Sequence, residues 1–226
     1  MNTAIIVAAG SGTRFESPTP KQFLDILGKP VIQITLERFQ ACDAVDAIVA
    51  VIGERDFDRM AAIARHAKIT KLVRTVTGGK TRAESVRNGF AAVDSESAIV
   101  CVHDGVRPLV TSDEIAATLL SAELNGAACL SAAVTDTVKT VDYGKITGTV
   151  ARDSLRRALT PQAFRYYVLK EAIENSKLDE SVTDECYMAE NIGVMVTAVD
   201  GSPRNIKITH REDFVLAEAF LKAEGR

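Results

Sequence analysis

Short β-branched runs alternate with helical patterns over the first 135 residues. Ala4 to Ala8, Ala47 to Ile52, Ile69 to Val76, Ala98 to Val102 and Ala128 to Val134 read as strands. Between them, apolar spacing predicts helices near 31–41, 57–66, 81–92 and 112–124. Strands that are apolar throughout, rather than alternating, belong to a sheet covered on both faces. Right-handed crossovers then give a doubly wound, mostly parallel α/β sheet, with ligands at the carboxyl ends of its strands. Beyond Val134 the rhythm changes. Residues 135–150 are polar, β-branched and punctuated by glycine, and read as a hairpin turning at Tyr143-Gly144-Lys145. An isolated hairpin is marginal in water, so this projecting β-arm, about 135–152, needs a cover, either its own domain or a partner subunit. Helices near 163–176 and 183–190, strands over 194–199 and 205–209, and an amphipathic helix over 211–223 complete the chain. The pattern predicts one domain over 1–226.

Composition narrows the partners. The 226 residues carry 27 Lys and Arg against 30 Asp and Glu, a formal net charge of -3, which argues against a general nucleic-acid binder. No apolar run approaches the roughly 20 residues that span a bilayer, so no membrane association is expected. The start shows no basic stretch before its first strand, so no signal peptide is expected. Cys42, Cys101, Cys129 and Cys186 form no C-x-x-C pair and read as buried free thiols in a reducing, cytoplasmic compartment. The three histidines show no compact zinc spacing.

The chemistry concentrates in loops. Ala8-Ala9-Gly10-Ser11-Gly12-Thr13-Arg14 follows the first strand, and its glycines permit a nest of backbone N–H groups for phosphate oxygens. Arg14 follows, as does Lys21 in a proline-stiffened Pro18-Thr19-Pro20-Lys21-Gln22. Two such cations suit a triphosphate, whose α-phosphate and leaving pyrophosphate need neutralising during transfer. Phe15 stands where a dinucleotide fingerprint requires its third glycine. Gly78-Gly79-Lys80-Thr81 imitates a Walker tail, but Arg74 occupies its first glycine position. That glycine pair still brings backbone against a flat base, with Arg82 and Ser85 on the following helix. His103-Asp104-Gly105-Val106-Arg107-Pro108 closes the fourth strand. Asp104 is a candidate oxygen ligand for Mg²⁺, with a structural pairing to Arg107 as the competing reading.

Taken in order, Ala8 to Arg14, Pro20-Lys21-Gln22, His103 to Pro108 and Asn205-Ile206-Lys207-Ile208-Thr209 resemble the 2-C-methyl-D-erythritol 4-phosphate cytidylyltransferase family. Asp136-Thr137-Val138-Lys139 and Leu159-Thr160-Pro161-Gln162 extend the match from end to end. The resemblance implies a Rossmann-like nucleotidyltransferase fold, a homodimer with exchanged arms, and transfer of CMP from CTP to a sugar-alcohol phosphate with Mg²⁺. It implies that Arg14 and Lys21 stabilise the transition state, and that Arg152, acting in trans, and Lys207 hold the attacking phosphate. Ala8, Ala9, Gly10, Ser11, Gly12, Gly79 and Ser85 would line the nucleotide site. Asp104, Arg107, Thr137 and Thr160 would lie near the acceptor. Ribitol 5-phosphate cytidylyltransferases share several of these motifs; the lysine of Asp136-Thr137-Val138-Lys139 sides with methylerythritol phosphate. A nucleotide-sensing module without catalysis is the alternative from another class.

Overall fold

The computed structural model describes residues 1–10 and 19–225. Its centre is a seven-stranded sheet whose strands in spatial order are Thr197–Asp200 (β11), Ala127–Ala133 (β7), Arg156–Arg165 (β10), Ile99–Asp104 (β6), Asn2–Val7 (β1), Ala47–Ile52 (β4) and Leu72–Thr77 (β5). Strands β1 (Asn2–Val7), β4 (Ala47–Ile52), β5 (Leu72–Thr77) and β6 (Ile99–Asp104) run parallel to their neighbours among these four. β7 (Ala127–Ala133) pairs in parallel with β11 (Thr197–Asp200). Between the two groups lies β10 (Arg156–Arg165), antiparallel to both β6 and β7. A short hairpin of β2 (Asp25–Ile26) and β3 (Lys29–Pro30) precedes the first helix.

The strands are buried on both faces, which is why they read as unbroken apolar runs. Ala4, Ile6, Ile48, Ala50 and Leu130 point to one face, where α1 (Val31–Ala41), α2 (Phe57–His66) and α4 (Ser112–Asn125) supply Leu36, Phe39, Met60, Ile63 and Ile115. Ile5, Val49, Val51, Val100 and Val102 point to the other. There α3 (Arg82–Phe90), α5 (Tyr166–Glu174) and α6 (Glu185–Asn191) contribute Val86, Leu169 and Met188. Each fully buried Val, Leu, Ile, Phe or Met among these stabilises the fold by about 1.5–3 kcal/mol before entropy is counted. A satellite cluster seats α7 (Arg211–Ala223) through Ala217 and Leu221 on Ile26, Val31 and Ile208.

The doubly wound, mostly parallel architecture is as expected, and helices α1, α2 and α7 fall on their expected spans. Two assignments need correcting. Residues 163–165 end strand β10 rather than opening a helix, which begins at Tyr166. Residues 205–209 form no strand; the backbone there passes β6's loop with Ile208 N–H donating to the Val106 carbonyl at 2.9 Å. The arm is present as β8 (Val138–Asp142) and β9 (Lys145–Val150), paired with each other in their own two-stranded sheet. Tyr143 (φ 44°) and Gly144 (φ 75°) supply the two positive φ values of a tight hairpin turn.

Candidate functional site

Beyond the carboxyl ends of β1 and β6 lies a cleft of about 530 Å³. Val7 sits opposite Asp104 in the ladder, so the loops leaving these two strands diverge from one point. Chain direction switches there from β4 on one side of β1 to β6 on the other, the usual place for a nucleotide in such sheets. Ala8, Ala9, Gly10, Lys21, Gly79, Ser85, Asp104 and Lys207 all line the cleft. Ser11, Gly12 and Arg14 lie outside the described residues.

Two loops close its walls. Gly78 approaches the first loop so nearly that a Cβ on it would stand 2.2 Å from the Ala9 Cβ. Ser85 accepts the Gly79 N–H at 3.0 Å and donates to the Thr81 carbonyl at 2.9 Å, holding the glycine turn onto α3. Thr81 caps that helix by accepting from Glu84 N–H. Opposite, the buried Gln22 amide donates to the carbonyls of Ala8, at 2.7 Å, and Gly10, at 3.2 Å. Gln22 thus braces the chain just after β1, while its neighbour Lys21 lines the cleft from a short 3-10 helix, Lys21–Phe23.

Asp104 is buried, and three cations converge on it. Arg82 Nε reaches Oδ1 at 3.1 Å; Arg107 Nε and Lys207 Nζ reach Oδ2 at 3.2 and 3.0 Å. Burial opposes ionisation, but Arg82, Lys207 and Arg107 together hold the carboxyl well below the usual carboxylate range. Arg107 also donates to the Asn205 carbonyl at 2.8 Å, which pins the segment carrying Lys207. The expected metal role of Asp104 does not fit this arrangement. Three of the roughly four acceptor positions of this carboxylate are already taken by cations, which would repel Mg²⁺, and no group of three or more His, Cys, Asp or Glu suited to a metal occurs among the described residues. The Asp–Arg pairing is the reading that the geometry favours.

Thr160 sits behind this group. Its hydroxyl accepts the Asp104 N–H at 3.1 Å and contacts His103 Nδ1 at 2.9 Å. The Asn205 amide donates to the Thr160 carbonyl at 2.9 Å. Thr160 is buried, so it shapes the site from below. His103 Nε2 faces the Arg107 carbonyl at 3.1 Å, which assigns the proton to Nε2 and leaves Nδ1 to accept from Thr160. Burial pushes His103 down to about 4. Its folded value lies below its unfolded one, so its contribution to stability is complete above about pH 6.5 and is lost as pH falls toward 4. The expected loss is about 3 kcal/mol across that window. Chemical denaturation at pH 7 and pH 4.5 should show it, and His103→Gln should flatten the difference; an equal slope in both proteins would remove His103 as the cause.

Arg152 and Thr137 stand apart from this cleft, exposed at the root of the arm. The Arg152 guanidinium donates to the Thr135 carbonyl of its own chain. Nothing in the sequence pattern singles out Glu185. This carboxylate at the start of α6 is fully buried and takes Arg82 in a fork, at 2.5 and 3.1 Å. The brace formed by Gln22 and the pairing of Arg82 with Asp104 likewise have no signal in the sequence pattern. The four cysteines are buried and free of disulfides. No helix among the described residues is long and apolar enough to cross a membrane.

Comparison with known proteins agrees with this geometry. Residues 2–223 match the family model described as IspD, 2-C-methyl-D-erythritol 4-phosphate cytidylyltransferase. A protein of that name from Geobacter metallireducens is 41% identical over 97% of this chain and 97% of its own length. One from Syntrophus aciditrophicus is 40% identical over 98% and 96%. The crystal structure of 4-diphosphocytidyl-2C-methyl-D-erythritol synthase from Anaerococcus prevotii superposes with a TM-score of 0.86 at 33% identity, covering 98% of each chain. With a full-length family match, relatives at this identity, and a shared fold that places the motif residues around one cleft, the chain belongs to the 2-C-methyl-D-erythritol 4-phosphate cytidylyltransferase family.

Proposed function

We propose that this chain transfers CMP from CTP to 2-C-methyl-D-erythritol 4-phosphate, releasing pyrophosphate, as a step of isoprenoid precursor synthesis. The observation that carries the reading is the convergence of Lys21, Arg82 and Lys207 on one cleft, whose floor is closed by the tight packing of Gly78 on Ala9. The cytosine ring lies against the backbone around Ala8 and Gly79, in a space that a purine overfills. An oxygen of the acceptor phosphate attacks the α-phosphorus of CTP, and the bond from that phosphorus to the bridging oxygen breaks. The acceptor phosphate is already anionic near neutral pH, so the step needs no general base. His103 is buried, neutral and engaged at both nitrogens, and is left out of proton transfer.

Catalysis then consists of positioning and charge stabilisation. Lys207 receives the acceptor phosphate, Lys21 and Arg14 meet the charge developing at the α-phosphate and leaving group, and the backbone of 8–12 cradles the triphosphate. Mg²⁺ arrives with that triphosphate as part of the substrate, since Asp104 is already committed to three cations. The chain works as one nucleotidyltransferase domain whose arm, 135–152, covers a second copy in a cytoplasmic homodimer. Exposed apolar side chains on the arm support this: Val141 is 62% and Ile146 68% accessible. Thr137 and Arg152 would then complete the partner's acceptor site. The buried thiols suit a reducing compartment.

Pyrophosphate release from CTP tests the reading. Methylerythritol phosphate is expected to stimulate release at least about tenfold more than ribitol 5-phosphate, and ATP to be used at under about a tenth of the CTP rate. Release that no acceptor stimulates would instead describe a nucleotide-binding module.

A further inference from the structure

We infer that Glu185 is a positioning residue for the transfer: through Arg82 it sets how Asp104 divides its two oxygens, and so fixes the ammonium group of Lys207. The inference rests on the proposed role of Lys207 at the acceptor phosphate.

A fully buried carboxylate needs a reason, because burial opposes its ionisation. Here the backbone that carries Glu185 is held in place. Its backbone N–H and that of Cys186 donate to Gln162 Oε1 at 3.0 and 3.1 Å. The Gln162 amide in turn donates to Asp184 Oδ2 at 3.0 Å, and Gln162 is itself buried in β10. The start of α6 is therefore fastened to the central sheet beside Thr160, and the Glu185 side chain is aimed from a fixed base.

Its target is the paired face of Arg82. Both terminal nitrogens of that guanidinium donate end-on to Glu185, and in this orientation Arg82 meets Asp104 through Nε, at Oδ1. Oδ2 is left for Lys207 and Arg107. Guanidinium and carboxylate prefer a two-point fork. Without Glu185, Arg82 is free to turn its fork onto Asp104 and compete for Oδ2. The ammonium of Lys207 then loses its anchor. Glu185 also sets the charge: three cations against two carboxylates leave one net positive charge, and a neutral residue in its place leaves two.

This gives a kinetic signature that a scaffold role lacks. Glu185→Gln should lower kcat by about tenfold or more, since a displaced positioning group misaligns the attack. The KM for CTP should stay within about threefold or fall, because the cleft becomes more positive. In an Arg82→Lys background the same substitution should cost less than about threefold further, since the fork through which it acts is already gone. Should Glu185→Gln fold poorly, Glu185→Asp keeps the charge with a shorter reach, and the same cycle with Arg82→Lys applies. The Lys207 side-chain ammonium resonance, identified by its loss in Lys207→Arg, gives a readout independent of turnover. It is expected in the native protein and broadened or shifted in Glu185→Gln. Multiplicative losses in the double variant, or an unmoved Lys207 resonance with kcat within about twofold of native, would overturn the inference. If the native enzyme uses neither acceptor, the proposed function fails, and the resonance still decides the positioning claim.

Discussion

Lys21→Ala is expected to cut turnover by on the order of a hundredfold or more while leaving CTP affinity within about tenfold, the scale for losing one preorganised charge at a transition state. The case rests on how the backbone at Lys21 is held. Gln22 is buried and ties this segment to the carbonyls of Ala8 and Gly10. Phe23 is buried beneath the Arg59 guanidinium, whose centre lies 4.6 Å from the ring, and Arg59 also donates to the Phe23 carbonyl at 3.2 Å. The lysine therefore enters the cleft from a base that cannot follow a drifting substrate. Charge on the bridging oxygen grows only as the bond to the α-phosphorus breaks, so a fixed cation there acts more on the barrier than on binding. Calorimetric CTP affinity and single-turnover rates separate the two. Turnover within a few-fold of native would show that Lys21 is a spectator.

The same residues explain what the sequence discloses and what it hides. Strands β1, β4 and β6 are legible because both faces are covered, which forces continuous apolar runs. Helix α7 is legible because its apolar stripe meets a single surface, through Ala217 and Leu221. Strand β10 is hidden by Pro161, which argues against a central strand because it cannot donate to a ladder. The fold accommodates it with a shift in register between Ala158 and Gln162, where the Thr160–Pro161 bond is cis. Residues 205–209 mislead in the opposite sense. Ile206 and Ile208 alternate as in a strand, but the alternation serves the packing of α7 rather than a sheet. In the site, glycine-rich loops and a lone Asp–Arg motif are visible locally. That Arg82, Arg107 and Lys207 meet on Asp104, and that Glu185 restrains the first of them, depends on four elements brought together only by the sheet. No spacing along the chain encodes that meeting.

The arm yields the second large effect. If Arg152 acts on the neighbouring acceptor site, two inactive variants should rescue each other. Mixing Arg152→Ala with Lys21→Ala and allowing subunits to exchange creates heterodimers with unequal sites. One site combines the Lys21 defect with the Arg152 defect contributed by the partner. The other combines native Lys21 with native Arg152. Random pairing gives about half heterodimers, each with one good site of two, so activity should recover to roughly a quarter of native, given that each missing charge costs several kcal/mol of transition-state stabilisation. The placement of Arg152 motivates the experiment: it stands exposed at the foot of β9, outside the cleft that gathers Lys21 and Lys207. The arm beyond it pairs only with itself among the described residues and carries Tyr143 at 97% exposure beside the accessible Val141 and Ile146. A two-stranded ribbon with such a face is poorly stable alone, and the second chain proposed as its cover would also bring Arg152 to a cleft. Exchange is verified first with two affinity tags. Exchanged heterodimers that regain nothing over the separate variants would place Arg152 in its own chain's reaction and remove the shared site, because a residue working in cis leaves both sites of the heterodimer defective.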